Sequence, residues 1–264
     1  MPLTAEIYYF VHAKENADQI PVVLIHGAGG THLYWPSEIR RLPGYQIFAL
    51  DLPGHGKSPG MGQQSITAYC TQVTAWLDEL GLEKIIFAGH SMGGAIALMM
   101  ALEHPPRVHG LILLGTGARL RVHPDFLVSS ANHANFPTAV KMVIDWGFSP
   151  QAPSRLVELA SRRMVESRPQ ILNGDFMACD GFDVTMRLGE IGCPTLVICG
   201  EQDRLTPLRY AQFLVDHIRD ARLETIPGGG HMVMLEKPRE VKQVMQRFLD
   251  QVTGNRSNQT IIMT

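Results

Sequence analysis

Ile85-Ile86-Phe87-Ala88-Gly89-His90-Ser91-Met92-Gly93-Gly94 is the stretch on which the reading of this chain turns. Its first four residues form a short, continuously apolar run, the pattern of a strand covered on both faces. Residues Met92 to Glu103 read as a helix, so the serine falls at the tip of a strand-to-helix turn. A Gly-x-Ser-x-Gly sequence recurs often by chance, but between such a strand and such a helix it carries a mechanism. The serine backbone is held in a strained conformation with its hydroxyl exposed. Any Cβ at the flanking glycines would strike the neighbouring strand and helix. Gly93, Gly94, Ala95 and Ala97 let the helix lie close to the sheet. The helix N-terminus behind Ser91 offers free N–H groups and partial positive charge to a developing anion.

Outward from this turn, β-branched and apolar runs alternate with segments of helical period. The runs predict strands at Ile7–Val11, Val22–Ile25, Ile47–Leu50, Ile85–Ala88, Val108–Leu114, Thr195–Cys199 and Leu223–Ile226. Helices fit Gln63–Leu80, Met92–Glu103, Pro207–Ile218 and Pro238–Val252, the first ending at a C′ glycine, Gly81. The pattern predicts an α/β fold, a mostly parallel central sheet flanked by helices. Between Gly117 and about Leu188 the rhythm breaks. That stretch holds Pro124, Pro137, Pro150, Pro153 and Pro169, with Phe126, Phe136, Val140, Met142, Trp146 and Phe148 at helix-like spacing. We read 117–188 as a helical segment inserted between core strands, 1–116 and 189–252 as the core, and 253–264 as a flexible tail.

Two other strands end in loops that could meet Ser91. His26-Gly27-Ala28-Gly29-Gly30 follows Val22–Ile25, and its glycines let the backbone turn so that an N–H points back toward the serine. His26 is expected to order this loop by hydrogen bonding rather than to titrate. A dinucleotide-binding loop fails on spacing, because position 32 is His32 and not the third glycine; no mononucleotide P-loop occurs either. A serine nucleophile needs a general base, and histidine is the natural one near neutral pH. Of the 11 histidines, His231 follows Gly228-Gly229-Gly230 after the strand Leu223–Ile226, which puts it at the carboxyl edge of the sheet. His55, His90 and His104 lack that placement, and His90 is expected to be fixed in the turn, facing away from Ser91. The acid that orients the imidazole should come from Gly200-Glu201-Gln202-Asp203, after Thr195–Cys199. Asp203 reaches the same edge, whereas Glu201, its nearest rival, lies less far round the loop.

With Ser91, Asp203 and His231 each following its own strand in that order, the chain resembles the α/β-hydrolase superfamily, in its small-molecule esterase-like branch with a helical cap. The likeness spans about Val22 to Leu249. It includes Asp51-Leu52-Pro53-Gly54-His55-Gly56-Lys57-Ser58, similar to a DxPGxGxS turn that shapes the wall beside the site, and the closing segments Pro194–Ile198 and Glu236-Lys237-Pro238. The resemblance implies an oxyanion hole made by the N–H groups of Ala28 and Met92, each donor worth roughly 3 kcal/mol in the transition state. Some members carry the acid after the preceding strand, but Gly115-Thr116-Gly117-Ala118 offers no carboxylate here.

The resemblance also implies that the cap chooses the substrate, with Tyr34, Trp35, Trp146, Phe148 and Met232 as candidate pocket residues. A serine nucleophile sets aside haloalkane dehalogenases and epoxide hydrolases of this fold, which use Asp. What remains is acyl chemistry through an acyl-enzyme, with small or medium carboxylic esters as the first expectation. Lactones, thioesters, amides and carbon–carbon bonds yield to the same triad. Carbon–carbon cleavage would need basic groups of the kind Arg119, Arg121, Arg155, Arg162, Arg163 or Arg168 could supply. A ligand receptor built on this fold is the alternative from another class, and very slow turnover would mark it.

Composition narrows the partners. The chain has 264 residues, 45% hydrophobic and 18% charged, with a formal net charge of -2, which provides a core but no field for nucleic acid or an anionic membrane. Cys70, Cys179, Cys193 and Cys199 lack metal-ligand spacing and are expected to be reduced and mostly buried. No metal or organic cofactor is expected, and the partner is a small-molecule ester. The N-terminus shows no basic and no apolar region of a secretory signal, and the longest apolar run, Ala95–Leu102, falls far short of the roughly 20 residues that span a bilayer. A cytoplasmic location follows as the expectation, under which the sequons at Asn255 and Asn258 carry no weight.

Overall fold

The computed structural model describes residues 3–12 and 20–254. In chain order the elements are β1 (Leu3–Thr4), β2 (Ile7–His12), β3 (Val22–Ile25), α1 (Ser37–Arg40), β4 (Ile47–Asp51), α2 (Ile66–Glu79), β5 (Ile85–His90), α3 (Met92–Glu103) and β6 (Val108–Leu114). Four helices follow: α4 (Pro124–Ala131), α5 (Phe136–Gly147), α6 (Ser154–Val165) and α7 (Pro169–Asp180). The chain then returns through β7 (Thr195–Gly200), α8 (Leu208–His217), β8 (Ala221–Ile226), α9 (Val233–Glu236) and α10 (Pro238–Thr253). The eight strands form one sheet in the order β1-β2-β4-β3-β5-β6-β7-β8. The β1–β2 and β2–β4 pairs are antiparallel and the rest parallel.

The apolar strands are covered on both faces, and successive side chains go to opposite layers. Ile85 and Phe87 join Val23, Ile25, Leu111 and Leu113 under α2, α3 and α8. Ile86 and Ala88 join Val22, Leu24, Ile112 and Leu114 under α1, α9 and α10. Every residue of β5 is buried, which explains why its sequence shows no alternation. The parallel strands end together at one edge of the sheet, and the loops leaving β3, β5, β7 and β8 gather there.

The segment between β6 and β7 is helical, as the sequence predicts, and its prolines start helices instead of breaking them. Pro124, Pro137 and Pro169 occupy the first or second position of α4, α5 and α7, where no N–H is needed and the fixed φ suits the helix. Helix α5 buries Phe136, Ala139, Val140, Val143 and Ile144, an amphipathic stripe. The two ends of the segment are tied to each other. Arg119 and Asp183 form an antiparallel bridge, and the Val184 N–H donates to the Ala118 carbonyl at 2.8 Å.

The structure departs from the sequence reading at several elements: α1 and α9 are not predicted, and β8 begins at Ala221 rather than Leu223. The short edge strand β1 is unanticipated. Helix α2 starts at Ile66 rather than Gln63, because the Ser65 hydroxyl caps it by accepting from the Ala68 N–H at 3.2 Å. Helix α10 includes Thr253 and closes on Gly254 with φ 67°, so the expected tail begins later; residues 255–264, with both sequons, lie outside the described residues. Among the described residues no helix is long and apolar enough to cross a membrane.

Candidate active site

Ser91 sits between β5 and α3 with φ 53° and ψ −116°, a backbone state that L-residues seldom adopt. Its N–H donates to the Leu114 carbonyl at 2.9 Å, and its own carbonyl accepts from the Thr116 hydroxyl at 2.8 Å and from the Gly94 N–H at 2.9 Å. The glycines around it are required by space. A Cβ on Gly89 would land on the Gly93 carbonyl, one on Gly93 on the Ile25 carbonyl, and one on Gly94 on the Thr116 side chain. Met92 is the first residue of α3, so its N–H has no partner within the helix.

The loop after β3 is held from two sides. The Gly27 carbonyl accepts from His26 Nδ1 at 2.8 Å and from the Gly30 N–H at 3.0 Å. The peptide is planar and trans, so the Ala28 N–H is aimed away from those donors. His26 Nε2 in turn accepts from the Leu52 N–H at 3.1 Å. Burial drives the His26 pKa down to about 4, so this ring is a neutral brace between the β3 and β4 loops, as the sequence reading expects. Asp51 opens the neighbouring turn and is consumed there. It accepts from the His32 and Lys57 N–H groups and pairs with His32 Nδ1.

The loops after β7 and β8 bring Asp203 and His231 together. Asp203 Oδ2 lies 2.9 Å from His231 Nδ1, and it also accepts from the Thr206 hydroxyl at 2.8 Å. Asp203 Oδ1 accepts from the N–H groups of Leu205 and Thr206. Burial alone would raise the Asp203 pKa, but the adjacent His231 and these hydrogen bonds outweigh it and the net direction is down. His231 thus turns Nδ1, and not Nε2, toward the carboxylate. Glu201, the rival acid, is exposed, and its carboxylate accepts from the Gly228 N–H at 3.4 Å. Gly115, with φ 50°, passes close to this pair, and a side chain there would press on both His231 and Asp203.

His90 is fixed in the turn, as expected, but it also lines the Ser91 cavity and reaches a second loop. Its Nε2 donates to the His231 carbonyl at 3.0 Å, and the two rings lie 4.7 Å apart. It therefore braces the loop that carries His231, and burial lowers its pKa to about 3, leaving the ring neutral. The residues it joins are 141 apart in sequence, and nothing local marks the contact.

Ser91, Ala28, Gly27 and His231 line one cavity of about 130 Å³. Phe126, Val143, Trp146 and Phe176 roof it from the inserted segment, Tyr34 and Met232 form its sides, and Arg121, His123, Arg204 and Tyr210 also face it. Trp35 and Phe148 are not among its lining residues. Both are buried in the layer that holds α1 and α10, Trp35 fully and Phe148 where α5 ends. Adjacent residues at Tyr34 and Trp35 point different ways, and residue type alone could not say which faces the cavity. The Tyr34 hydroxyl is buried without a hydrogen-bond partner. Among the described residues no group of three or more His, Cys, Asp or Glu side chains could hold a metal ion.

Comparison with known proteins accords with this geometry. Residues 20–238 match the family described as alpha/beta hydrolase fold. The chain is 28% identical over 263 residues to a 2-hydroxy-6-oxo-6-phenylhexa-2,4-dienoate hydrolase of Comamonas testosteroni, covering 92% of each. A solved structure of a thermophilic esterase shares 32% identity with a TM-score of 0.78, over 93% of this chain and 98% of that one. The enol-lactonase from Burkholderia xenovorans LB400 superposes with a TM-score of 0.86 at 21% identity, over 92% and 96% of the two chains, a likeness of fold. This chain belongs to the alpha/beta hydrolase fold family.

Proposed function

We propose that the protein is a serine hydrolase of small or medium carboxylic esters, with Ser91 as nucleophile, His231 as general base and Asp203 as the acid that orients it. The observation that carries this reading is the Asp203–His231 pair at 2.9 Å, which joins the loops after β7 and β8 and whose His231 lines the same apolar-roofed cavity as Ser91. Ser91 Oγ attacks the ester carbonyl carbon while Nε2 of His231 takes its proton. The oxyanion is received by the Ala28 and Met92 N–H groups. Collapse expels the alcohol, which His231 protonates. Water then attacks the acyl-enzyme, giving a proton to His231, and the acid leaves as Ser91 regains its hydrogen. Asp203 stays ionised throughout and accepts the Nδ1–H. Residues 117–188 act as the cap, setting acyl preference through Phe126, Trp146 and Phe176.

A second reading is favoured by the cavity's charge. Arg121 and Arg204 face it and, among the described residues, no carboxylate lines it, which suits a substrate with its own carboxylate at the far end. The dienoate hydrolase relative acts on such a compound by its name, so carbon–carbon cleavage of an acidic diketone is the competitor. A panel of p-nitrophenyl esters of rising acyl length, beside hemiesters of dicarboxylic acids and a vinylogous diketone acid, decides between them. Multiple turnovers on neutral short or medium esters support the first reading. Turnover of the diketone with none on any ester overturns it in favour of the second. Single-turnover behaviour on all of them overturns both and points to a receptor.

A further inference from the structure

Asp175 is a buried carboxylate with no part in the triad. It lies on α7, in the inserted segment, and is fully inaccessible to solvent. Its neighbours on that helix, Ile171, Leu172, Phe176 and Ala178, are the apolar residues a helix normally buries. A lone carboxylate in such a place is costly unless its oxygens are satisfied and its charge is balanced.

Both conditions are met, by three segments distant in sequence. Asp175 Oδ2 accepts from the Gly29 N–H at 2.8 Å and from His55 Nε2 at 2.8 Å. Asp175 Oδ1 accepts from the Tyr69 hydroxyl. His55 Nδ1 lies 3.1 Å from the Pro53 carbonyl, so both ring nitrogens face acceptors and the ring suits the protonated form. Burial pulls the His55 pKa down, but the charge and hydrogen bond of Asp175 outweigh it and the net direction is up. The pair is thus a buried ion pair, and it fastens α7 to the turn after β4.

The contact with Gly29 gives this cluster a bearing on chemistry. Gly27-Ala28-Gly29-Gly30 has three glycines in four residues, and Gly29 has φ 63°, so the loop has little intrinsic preference for one peptide orientation. Two successive peptides are nonetheless fixed. The Gly27–Ala28 unit is held through its carbonyl by His26 and Gly30, and the Ala28–Gly29 unit through its N–H by Asp175. Ala28 lies between the two anchors. A charge-assisted hydrogen bond is roughly twice as strong as a neutral one, so the Asp175 anchor is the firmer.

We propose that Asp175 is a positioning residue for the oxyanion loop, holding the Gly29 N–H outward so that the Ala28 N–H stays on the Ser91 cavity and the inserted segment becomes part of the catalytic apparatus. The inference rests on the reading of Ala28 as an oxyanion donor. A mere strut between α7 and the core would contribute to stability and leave the rate of folded molecules unchanged.

The test is Asp175→Leu beside Tyr69→Phe, with active sites counted by covalent labelling with a p-nitrophenyl phosphonate. Leu keeps the branched shape and offers Gly29 no acceptor, whereas Asn could still hold Gly29 and His55 with its one oxygen. The kcat of Asp175→Leu on a short ester should fall about 10- to 100-fold, short of full loss of a hole donor, with KM within about threefold. Tyr69→Phe removes one bond to the other oxygen and leaves Gly29 held, so it should lower Tm and keep kcat within about twofold. A kcat for Asp175→Leu within about twofold of wild type, or equal losses in the two variants, overturns the proposal. Should Asp175→Leu fail to fold, hydrogen exchange on the wild-type chain decides. A Gly29 amide protected as strongly as the β5 amides supports the anchor, and loop-like exchange refutes it. A wild-type protein that the phosphonate does not label would refute the serine-hydrolase reading itself, leaving the exchange result to stand separately.

Discussion

Acidification from pH 6.5 to pH 5 should destabilise the folded chain by about 3 kcal/mol, through two histidines that carry no proton in the proposed reaction. His26 and His90 are wholly buried, with pKa values lowered by burial from 6.5 to about 4 and about 3. Their folded values lie below the unfolded one, so their contribution is complete above pH 6.5 and is lost as pH falls toward the folded values. At pH 5 the unfolded chain has bound both protons while the native chain has bound neither. The unfolded rings are already half protonated at pH 6.5, so over this window each forfeits about 1.2 units at about 1.4 kcal/mol per unit, or about 1.6 kcal/mol. His55 has the opposite sign. Its pKa is raised, so its contribution is fully present below pH 6.5 and does not change across this window. The lowered Asp203 pKa matters only below the ordinary carboxylate range. Urea unfolding followed by circular dichroism at pH 7.5, 6.5, 5.5 and 5.0 measures the effect. Below pH 6 the slope should approach about 2.7 kcal/mol per pH unit, the value for two protons. Replacing His90 by Gln should halve it. A stability that is flat between pH 6.5 and 5, or a slope unchanged in His90→Gln, would refute the assignment of neutral buried rings.

Other outcomes bear on the proposed chemistry. Ser91→Ala should lose ester turnover by about 10⁴-fold or more with the fold intact, and retention of a tenth of kcat would remove Ser91 as nucleophile. Asp203→Asn should cut kcat by about 10³- to 10⁴-fold by favouring the wrong His231 tautomer, whereas Glu201→Gln should change it less than about twofold; the reverse ranking would reassign the acid. Trp146 lines the cavity and carries the Arg204 guanidinium over its ring at 5.4 Å. Trp146→Ala should raise KM for longer acyl chains by about 10-fold while sparing the shortest ester, and equal effects on both would take Trp146 out of the substrate's path.

Much of this molecule is legible in sequence because its signals are local. The central strands are apolar without a break since both faces are covered, and Ser91, Asp203 and His231 each stand just past one of them. What is not legible there depends on partners far along the chain. His90 meets His231 across 141 residues, and Asp175 meets Gly29 across 146, in a helix whose own pattern reads as ordinary packing. Tyr34 and Trp35 are equally plausible cavity residues by type, yet only Tyr34 faces it. Strand β1 has two residues, too few for any period to show.

The backbone at Ser91 has a consequence for how this protein would evolve under heat. A residue with a side chain held at φ 53° and ψ −116° costs on the order of 1–3 kcal/mol. Glycine alone is at ease there, so Ser91→Gly should raise Tm by a few degrees while abolishing ester turnover. Selection for thermal tolerance and selection for turnover thus pull in opposite directions at one codon. A variant library screened only for survival of heating would be drawn at position 91 toward inert protein, and a thermostability campaign on this chain needs an activity gate from its first round.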